Sequence, residues 1–184
     1  MRPMAFPPKT SAIAELSFYC HSPLGLITIL YNSDPFFLTT VVLPKSDRRN
    51  ESTGGPYFSH RPEGRCAVRV EQFFRAYFNR QPLPVPWDLL RLDGFTPLER
   101  RVWEKTAEIS MGCVSTYGQV ASAIGRGKAA RFVGNALGKN PFPIIIPCHR
   151  VIRKGGGLGG FGGGIEMKRK LMAFEGVPDK PVLA

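Results

Sequence analysis

Among the four cysteines of this 184-residue chain, Cys148 alone stands next to both an imidazole and a cation, in the run Pro147-Cys148-His149-Arg150. Neighbours of that kind favour the thiolate, the form in which sulfur acts as a nucleophile. A lone buried cysteine is ordinarily an inert apolar residue, so the neighbours carry the functional reading. On an extended strand, adjacent residues point to opposite faces. His149 could then not touch the thiol directly, and its proton would have to travel by a relay. Cys20, Cys66 and Cys113 lie far apart without CxxC pairing, which suggests neither a disulfide framework nor a common zinc ribbon. A reducing intracellular compartment is expected, the cytoplasm or, in a eukaryote, the nucleus.

The elements that must position Cys148 are legible on both sides of it. Phe142-Pro-Ile-Ile-Ile146 reads as a short buried strand delivering the chain to the cysteine, after Asn140-Pro141 ends the preceding helix. Between Gly155 and Gly164 eight glycines are interrupted only by Leu158 and Phe161, and no Lys-Ser/Thr of a phosphate loop is present. Such a segment lets backbone fold closely around a substrate. A helix over Glu166–Glu175 follows, stopped by Gly176 and Pro178. Upstream, Thr96-Pro97-Leu98-Glu99 is a capping box opening a helix that runs to about Ile109. Two further helices, Thr116–Gly125 and Ala129–Leu137, flank the break Gly125-Arg-Gly-Lys128 and suggest a helix-turn-helix. In the second, Ala129, Phe132, Val133, Ala136 and Leu137 make the buried stripe. Ala130, Gly134 and Gly138 make a strip of small side chains, open to close helix packing or to close approach of DNA.

The first half is β-rich. Leu24–Tyr31 and Phe36–Val42, separated by Asn32-Ser-Asp-Pro35, read as a hairpin. Pro44–Arg65 reads as a long surface loop, and Val68 to Phe78 as a helix packing on the hairpin. Gln81-Pro-Leu-Pro-Val-Pro-Trp87 is an extended connector, which places a boundary near Asp93. The expected organisation is a tail over residues 1–10, an N-terminal α/β domain over 11–92, a second domain over 93–177 and a tail over 178–184. Met1 to Thr10 carries three prolines and no continuous apolar stretch, so a signal peptide is not expected there; no segment approaches a membrane helix, so neither is a membrane partner.

The formal net charge of +11 favours a polyanionic partner. No acidic residue occurs between Glu108 and Glu166, while Arg126, Lys128, Arg131, Lys139, Arg150, Arg153 and Lys154 all fall there. This acid-free window holds the candidate nucleophile and is the expected contact face.

Pro147-Cys-His-Arg-Val151 resembles the active-site motif of the methylated-DNA-protein-cysteine methyltransferases, also called O6-alkylguanine-DNA alkyltransferases. The resemblance runs from Phe95 to Gly176 through Val102-Trp103, Ser115-Thr-Tyr-Gly118, Ala129-Ala-Arg131, Val133-Gly134, Asn140-Pro141, Phe161-Gly-Gly163, Lys168 and Glu175-Gly176, in the family's order. Ser22-Pro-Leu-Gly25 and the aromatic helix around Phe73 to Phe78 are similar, more loosely, to the family's smaller N-terminal domain. The resemblance implies an α+β fold, with a small ribonuclease H-like α/β domain bearing an antiparallel sheet, followed by a mostly helical domain with a helix-turn-helix. It also implies an SN2 transfer of the alkyl group from O6-alkylguanine in double-stranded DNA to Cys148, with O4-alkylthymine a further candidate. Each molecule would act once, because a thioether is a very poor leaving group.

The same resemblance assigns roles. His149 would accept the thiol proton through a water, Glu175 would orient the imidazole, Asn140 would support the turn, and Tyr117 would hand a proton to the departing guanine. Arg131 would fill the space left by a flipped base. Ala130 and Gly134 would settle the helix in the minor groove, and Arg126 and Lys128 would touch phosphate. Pro143, Val151, Phe161 and Gly162 would line the base pocket. Phe161 stands where a tyrosine is common and Gly162 where some members have serine, which opens the pocket wall. No cofactor is required. Some relatives hold zinc in the first domain, but Cys20, His21, His60 and Cys66 lack a diagnostic spacing, so no metal is expected. A monomer is expected. A damage sensor without transfer activity is disfavoured by the presence of Cys148, and a transcriptional regulator by the lack of room for an effector domain. A cysteine hydrolase is disfavoured by the absence of an oxyanion site.

Overall fold

The computed structural model describes residues 15–44, 56–81 and 83–178. The expected tail over 1–10 and nearly all of the one over 178–184 lie outside the described residues. The architecture is α+β. Four antiparallel strands, β1 (Leu16–Ser22), β2 (Gly25–Ser33), β3 (Phe36–Val42) and β4 (Tyr57–Ser59), form one sheet in the order β3-β2-β1-β4. Alternation decides its faces. Phe18, Cys20, Ile27, Ile29 and Tyr31 point inward and are buried, while Ser17, Tyr19, His21 and Leu26 point the other way. Helix α1 (Arg65–Phe78) places Val70, Phe74 and Tyr77 in the same core.

Two features of this half depart from the sequence expectation. The hairpin gains β1 on one side, and β4 lies inside the segment expected to be loop, of which 45–55 is outside the described residues. A strand of three residues pairing only through Tyr19, Cys20 and His21 is too short to leave a periodic trace. The opposite edge, β3, is covered. Val41 N donates to Pro141 O at 2.8 Å, and Arg91 N donates to Leu38 O at 3.0 Å. The stretch that follows the connector and the segment leading to Cys148 thereby satisfy an edge that would otherwise invite pairing with another chain.

The second half contains α2 (Pro97–Ala107), β5 (Ser115–Thr116), α3 (Tyr117–Ala123), α4 (Ala130–Gly138), β6 (Val151–Ile152) and α5 (Ile165–Phe174). The capping box read at Thr96 and Glu99 is formed, with Pro97 at the first helical position. A second box, Thr116 with Gln119, opens α3. Fully buried Trp103 donates its indole N–H to Ala136 O at 2.9 Å, tying α2 to α4. The hydrophobic core runs without a break from Phe18 of the sheet to Leu171 of α5.

Phe142–Ile146 is buried at Phe142, Ile144, Ile145 and Ile146 as expected, but it forms turns rather than a strand. Ile144 has φ 73°, in the left-handed region, which no strand allows. Pro143 removes one backbone N–H donor within this segment, and Pro141 and Pro147 remove one more at each flank, so it cannot sustain a ladder. Cys148–Arg150 likewise forms a 3-10 turn instead of continuing a strand, and parallel β6 pairs with β5 immediately after it.

Candidate active site

The turn at Cys148 is fixed by its backbone and by one side chain. Cys148 N donates to Ile146 O at 2.8 Å and Arg150 N donates to Pro147 O at 2.9 Å. Asn140, just beyond the C-terminal end of α4, donates from Nδ2 to Ile146 O at 2.9 Å and to Cys148 Sγ at 3.2 Å. Its Oδ1 accepts from Phe142 N at 2.9 Å, so both ends of the amide are used. Burial pushes the Cys148 thiol above its ordinary value. The Asn140 amide, the positive charge of Lys168 and the local backbone N–H groups pull the other way.

Behind the cysteine lies a buried charged cluster. His149 Nε2 sits 2.7 Å from Glu175 Oε1. A carboxylate only accepts, so Nε2 carries the proton and Nδ1 presents a lone pair. That Nδ1 is buried and has no hydrogen-bond partner among the described residues. Burial lowers the affinity of His149 for a proton; Glu175 opposes this, and Arg150 and Lys168 reinforce it. For Glu175 burial alone would raise the carboxyl, but the hydrogen bonds and charges of His149 and Arg150 outweigh it and hold it at about 2. The imidazole is therefore neutral near pH 7 and sits against an anion.

Arg150 belongs to this cluster, not to an exposed contact face. Its Nε and Nη2 meet Glu175 at 2.8 and 2.9 Å, and Nη1 donates to Ile109 O at 2.5 Å. A guanidinium fork suits a carboxylate in this bidentate way. Lys168, fully buried, donates to Val151 O and Leu158 O, each at 2.6 Å. Burial lowers its ammonium to about 8, with Cys148 opposing the shift. It joins the strand after the cysteine to the glycine-rich segment. Lys168 and Tyr77 complete this region, and sequence reading gave neither a place in it. A lysine on the apolar stripe of α5, with Met167, Leu171 and Met172, is the pattern that marks the first.

Two cavities meet at Cys148, sharing Leu137, Gly138, Phe161 and Gly162 as well. The larger, about 630 Å³, is lined by Tyr117, Ala130, Arg131, Gly134, Arg153, Gly159 and Gly160 among others. The small strip of α4 thus faces this groove along its whole length. The second, about 520 Å³, extends past Pro143 to Thr40–Leu43 of the first half. Tyr117 is held between α4 and the glycine-rich segment: a methyl group added at Gly134 would lie 3.7 Å from its ring, and one at Gly159 would lie 2.6 Å from its hydroxyl. Burial raises the Tyr117 phenol, and the nearby Cys148 adds to this. Gly160 and Gly162 face open space.

Arg131 is exposed at the groove, and Arg126 and Lys128 are exposed on the α3–α4 turn. Val151, expected in the pocket wall, is instead fully buried in β6 and lines neither cavity. Strand pairing with Ser115 and the bond from Lys168 turn this residue inward. In the first half Cys20 points into the core, whereas His21 stacks on Tyr57 and lies 3.0 Å from Ser59 Oγ. These surroundings do not bring Cys20 and His21 to a common point.

The model of the DNA-binding domain of 6-O-methylguanine DNA methyltransferase matches residues 97–177. A methylated-DNA-protein-cysteine methyltransferase of Haemophilus influenzae is 37% identical over 160 residues, covering 87% of this chain and 86% of its own length. One from Cricetulus griseus is 34% identical, covering 87% and 81%. Among solved structures, Mycobacterium tuberculosis OGT in complex with DNA superposes with a TM-score of 0.61 at 33% identity, covering 86% of this chain and 91% of that one.

Proposed function

Because this chain belongs to the methylated-DNA-protein-cysteine methyltransferase family, we propose that it repairs O6-alkylguanine in duplex DNA by irreversible transfer of the alkyl group to Cys148. The observation that carries the reading is Cys148 at the meeting point of two cavities, with the neutral side of a His149–Glu175 pair behind it. His149 Nδ1 takes the thiol proton through a bound water. The sulfur lone pair forms a bond to the alkyl carbon as the carbon–oxygen bond breaks, and its electrons pass to the guanine. Tyr117 supplies a proton to the departing base and is reprotonated from the relay, so that thiol and alkylguanine become thioether and guanine. Asn140 stabilises the sulfur anion by its hydrogen bond. No step calls for a cofactor.

The lesion is flipped from the stack at a cost of a few kcal/mol. Arg131 fills the space left, and α4 enters the minor groove on its strip Ala130, Gly134 and Gly138, in the manner of a helix-turn-helix with α3. Phe161, Gly162 and Pro143 bound the base and its substituent. O4-alkylthymine presents the same carbon–oxygen bond and is a second substrate of the same site. The protein acts as a monomer.

Intact and peptide mass spectrometry after incubation with methylated duplex tests the reading. One methyl group on the peptide carrying Cys148 is expected, with none in Cys148→Ala, while Cys148→Ala keeps its binding to the duplex. A methyl group on another residue, or transfer by Cys148→Ala, would overturn it.

A further inference from the structure

We propose that Tyr77, the hydroxyl that the N-terminal half contributes to the Glu175 carboxylate, is a positioning residue for the His149 relay, through which that half tunes how readily His149 takes a proton. The inference rests on the transfer reading above. Tyr77 Oη donates to Glu175 Oε1 at 3.0 Å. The same oxygen receives His149 Nε2 at 2.7 Å and Arg150 Nη2 at 2.9 Å, while Oε2 receives Arg150 Nε at 2.8 Å. All four residues are buried. The phenol ring is held by Phe78 and Phe174 at centroid distances of 5.1 and 5.6 Å. Phenylalanine would fill this space equally well, so the hydroxyl answers to the carboxylate and not to packing. Burial, and then the charge of Glu175, keep that hydroxyl protonated and hence a donor.

Three donors on one oxygen divide its negative charge. Taking one away leaves more of that charge for His149 and stabilises the imidazolium relative to the imidazole. The other charged or titratable groups facing this pair are Cys148 and Arg150 from the 3-10 turn and Lys168 from α5. Arg80, past the end of α1, lies over the Phe174 ring at 5.5 Å, on the neighbouring aromatic. Tyr77→Phe removes a neutral donor and leaves each of these charges in place.

Transfer rates from methylated duplex to the full chain, measured against pH, provide the test. For Tyr77→Phe the acid limb is expected to move upward by about half to one pH unit. Transfer is then roughly three- to tenfold slower at mildly acidic pH and near the native rate at alkaline pH. Fluorotyrosine at position 77, a stronger donor, should move the limb the opposite way. Phe78→Leu loosens the same aromatic cluster without touching Glu175 and should lower the melting temperature while leaving the limb in place. Equal slowing of Tyr77→Phe at every pH, or an equal shift in Phe78→Leu, would reduce Tyr77 to a packing residue. NMR titration of the His149 ring separates this inference from the transfer reading, since it requires no alkylated DNA. A higher proton affinity in Tyr77→Phe supports the coupling even if Cys148 accepts no alkyl group. Identical titrations overturn it even if transfer is normal.

Discussion

A methyl group added at Gly159 would lie 2.6 Å from the Tyr117 hydroxyl and 3.0 Å from its ring, on backbone with φ +72°. Left-handed backbone costs about 1–2 kcal/mol for a residue with a Cβ, and the clash falls on the ring that faces the groove. Gly159→Ala is therefore expected to slow transfer at least tenfold and to lower the melting temperature. Gly160→Ala, which meets open space, should leave the melting temperature within about a degree of the wild type. Thermal melts and single-turnover kinetics on the pair check this, and equal effects at both positions would refute it. His149 gives a second test. Since burial holds the Cys148 thiol above its ordinary value, a chain without the relay must wait for spontaneous ionisation, which becomes more frequent as pH rises. His149→Ala should then lose more rate at neutral than at alkaline pH. Equal loss at both would make His149 structural. At this scale the sequence exposed Cys148 through its neighbours, but Arg150 and Lys168 look like surface cations until burial is known. For Lys168 the one local sign is its place on the apolar stripe of α5, beside Met167, Leu171 and Met172.

Helix positions were legible to within about three residues, the largest gap being the start of α1 at Arg65 where Val68 was expected, because caps and apolar periodicity act locally. Thr96 with Glu99, the glycine break at Gly125 to Lys128 and the stop at Gly176 each carry their own signal. Strand β4 and the turns over Phe142–Ile146 were not legible, since a three-residue strand exists only through its partner, and an apolar run between prolines reads alike as strand or buried turn. Helix α4 joins the two kinds of evidence. Its stripe Val133, Ala136 and Leu137 packs inward, and its opposite side carries Arg131 with the small strip into the groove. In the proposed function Arg131 replaces a base that has left the stack, which matters only when there is a stack. Arg131→Ala should slow transfer from a duplex lesion by a factor of tens to hundreds, as each 1.4 kcal/mol is about tenfold. Transfer from the free alkylated base should change little. Parallel single-turnover rates on both substrates decide the matter, and equal slowing would assign Arg131 to the pocket or the fold.

Across the whole molecule the net charge of +11 is concentrated by the fold. Of the seven cations in the acid-free window, Arg150 is spent on Glu175 and Lys139 pairs with Glu99 at 2.6 Å. Arg126, Lys128, Arg131, Arg153 and Lys154 remain exposed and without an ion pair among the described residues. Arg131 and Arg153 border the groove that leads to Cys148, and the other three lie within five residues of them in sequence. These cations can neutralise phosphates, but they have few means of reading bases from the minor groove side, where sequence is poorly displayed. If about five phosphates are neutralised, log K should fall with log salt at a slope of about −4 to −5. A fourfold rise in salt then weakens binding to undamaged duplex by a factor on the order of several hundred. Fluorescence anisotropy on duplexes of unrelated sequence, repeated at several salt concentrations, measures both quantities. The expected outcome is one steep line shared by all sequences, with Arg153→Ala and Lys154→Ala each reducing the slope by about one. A strong preference for one sequence at constant salt would mean that the window reads bases, and the protein would then be a regulator rather than a searcher for damage.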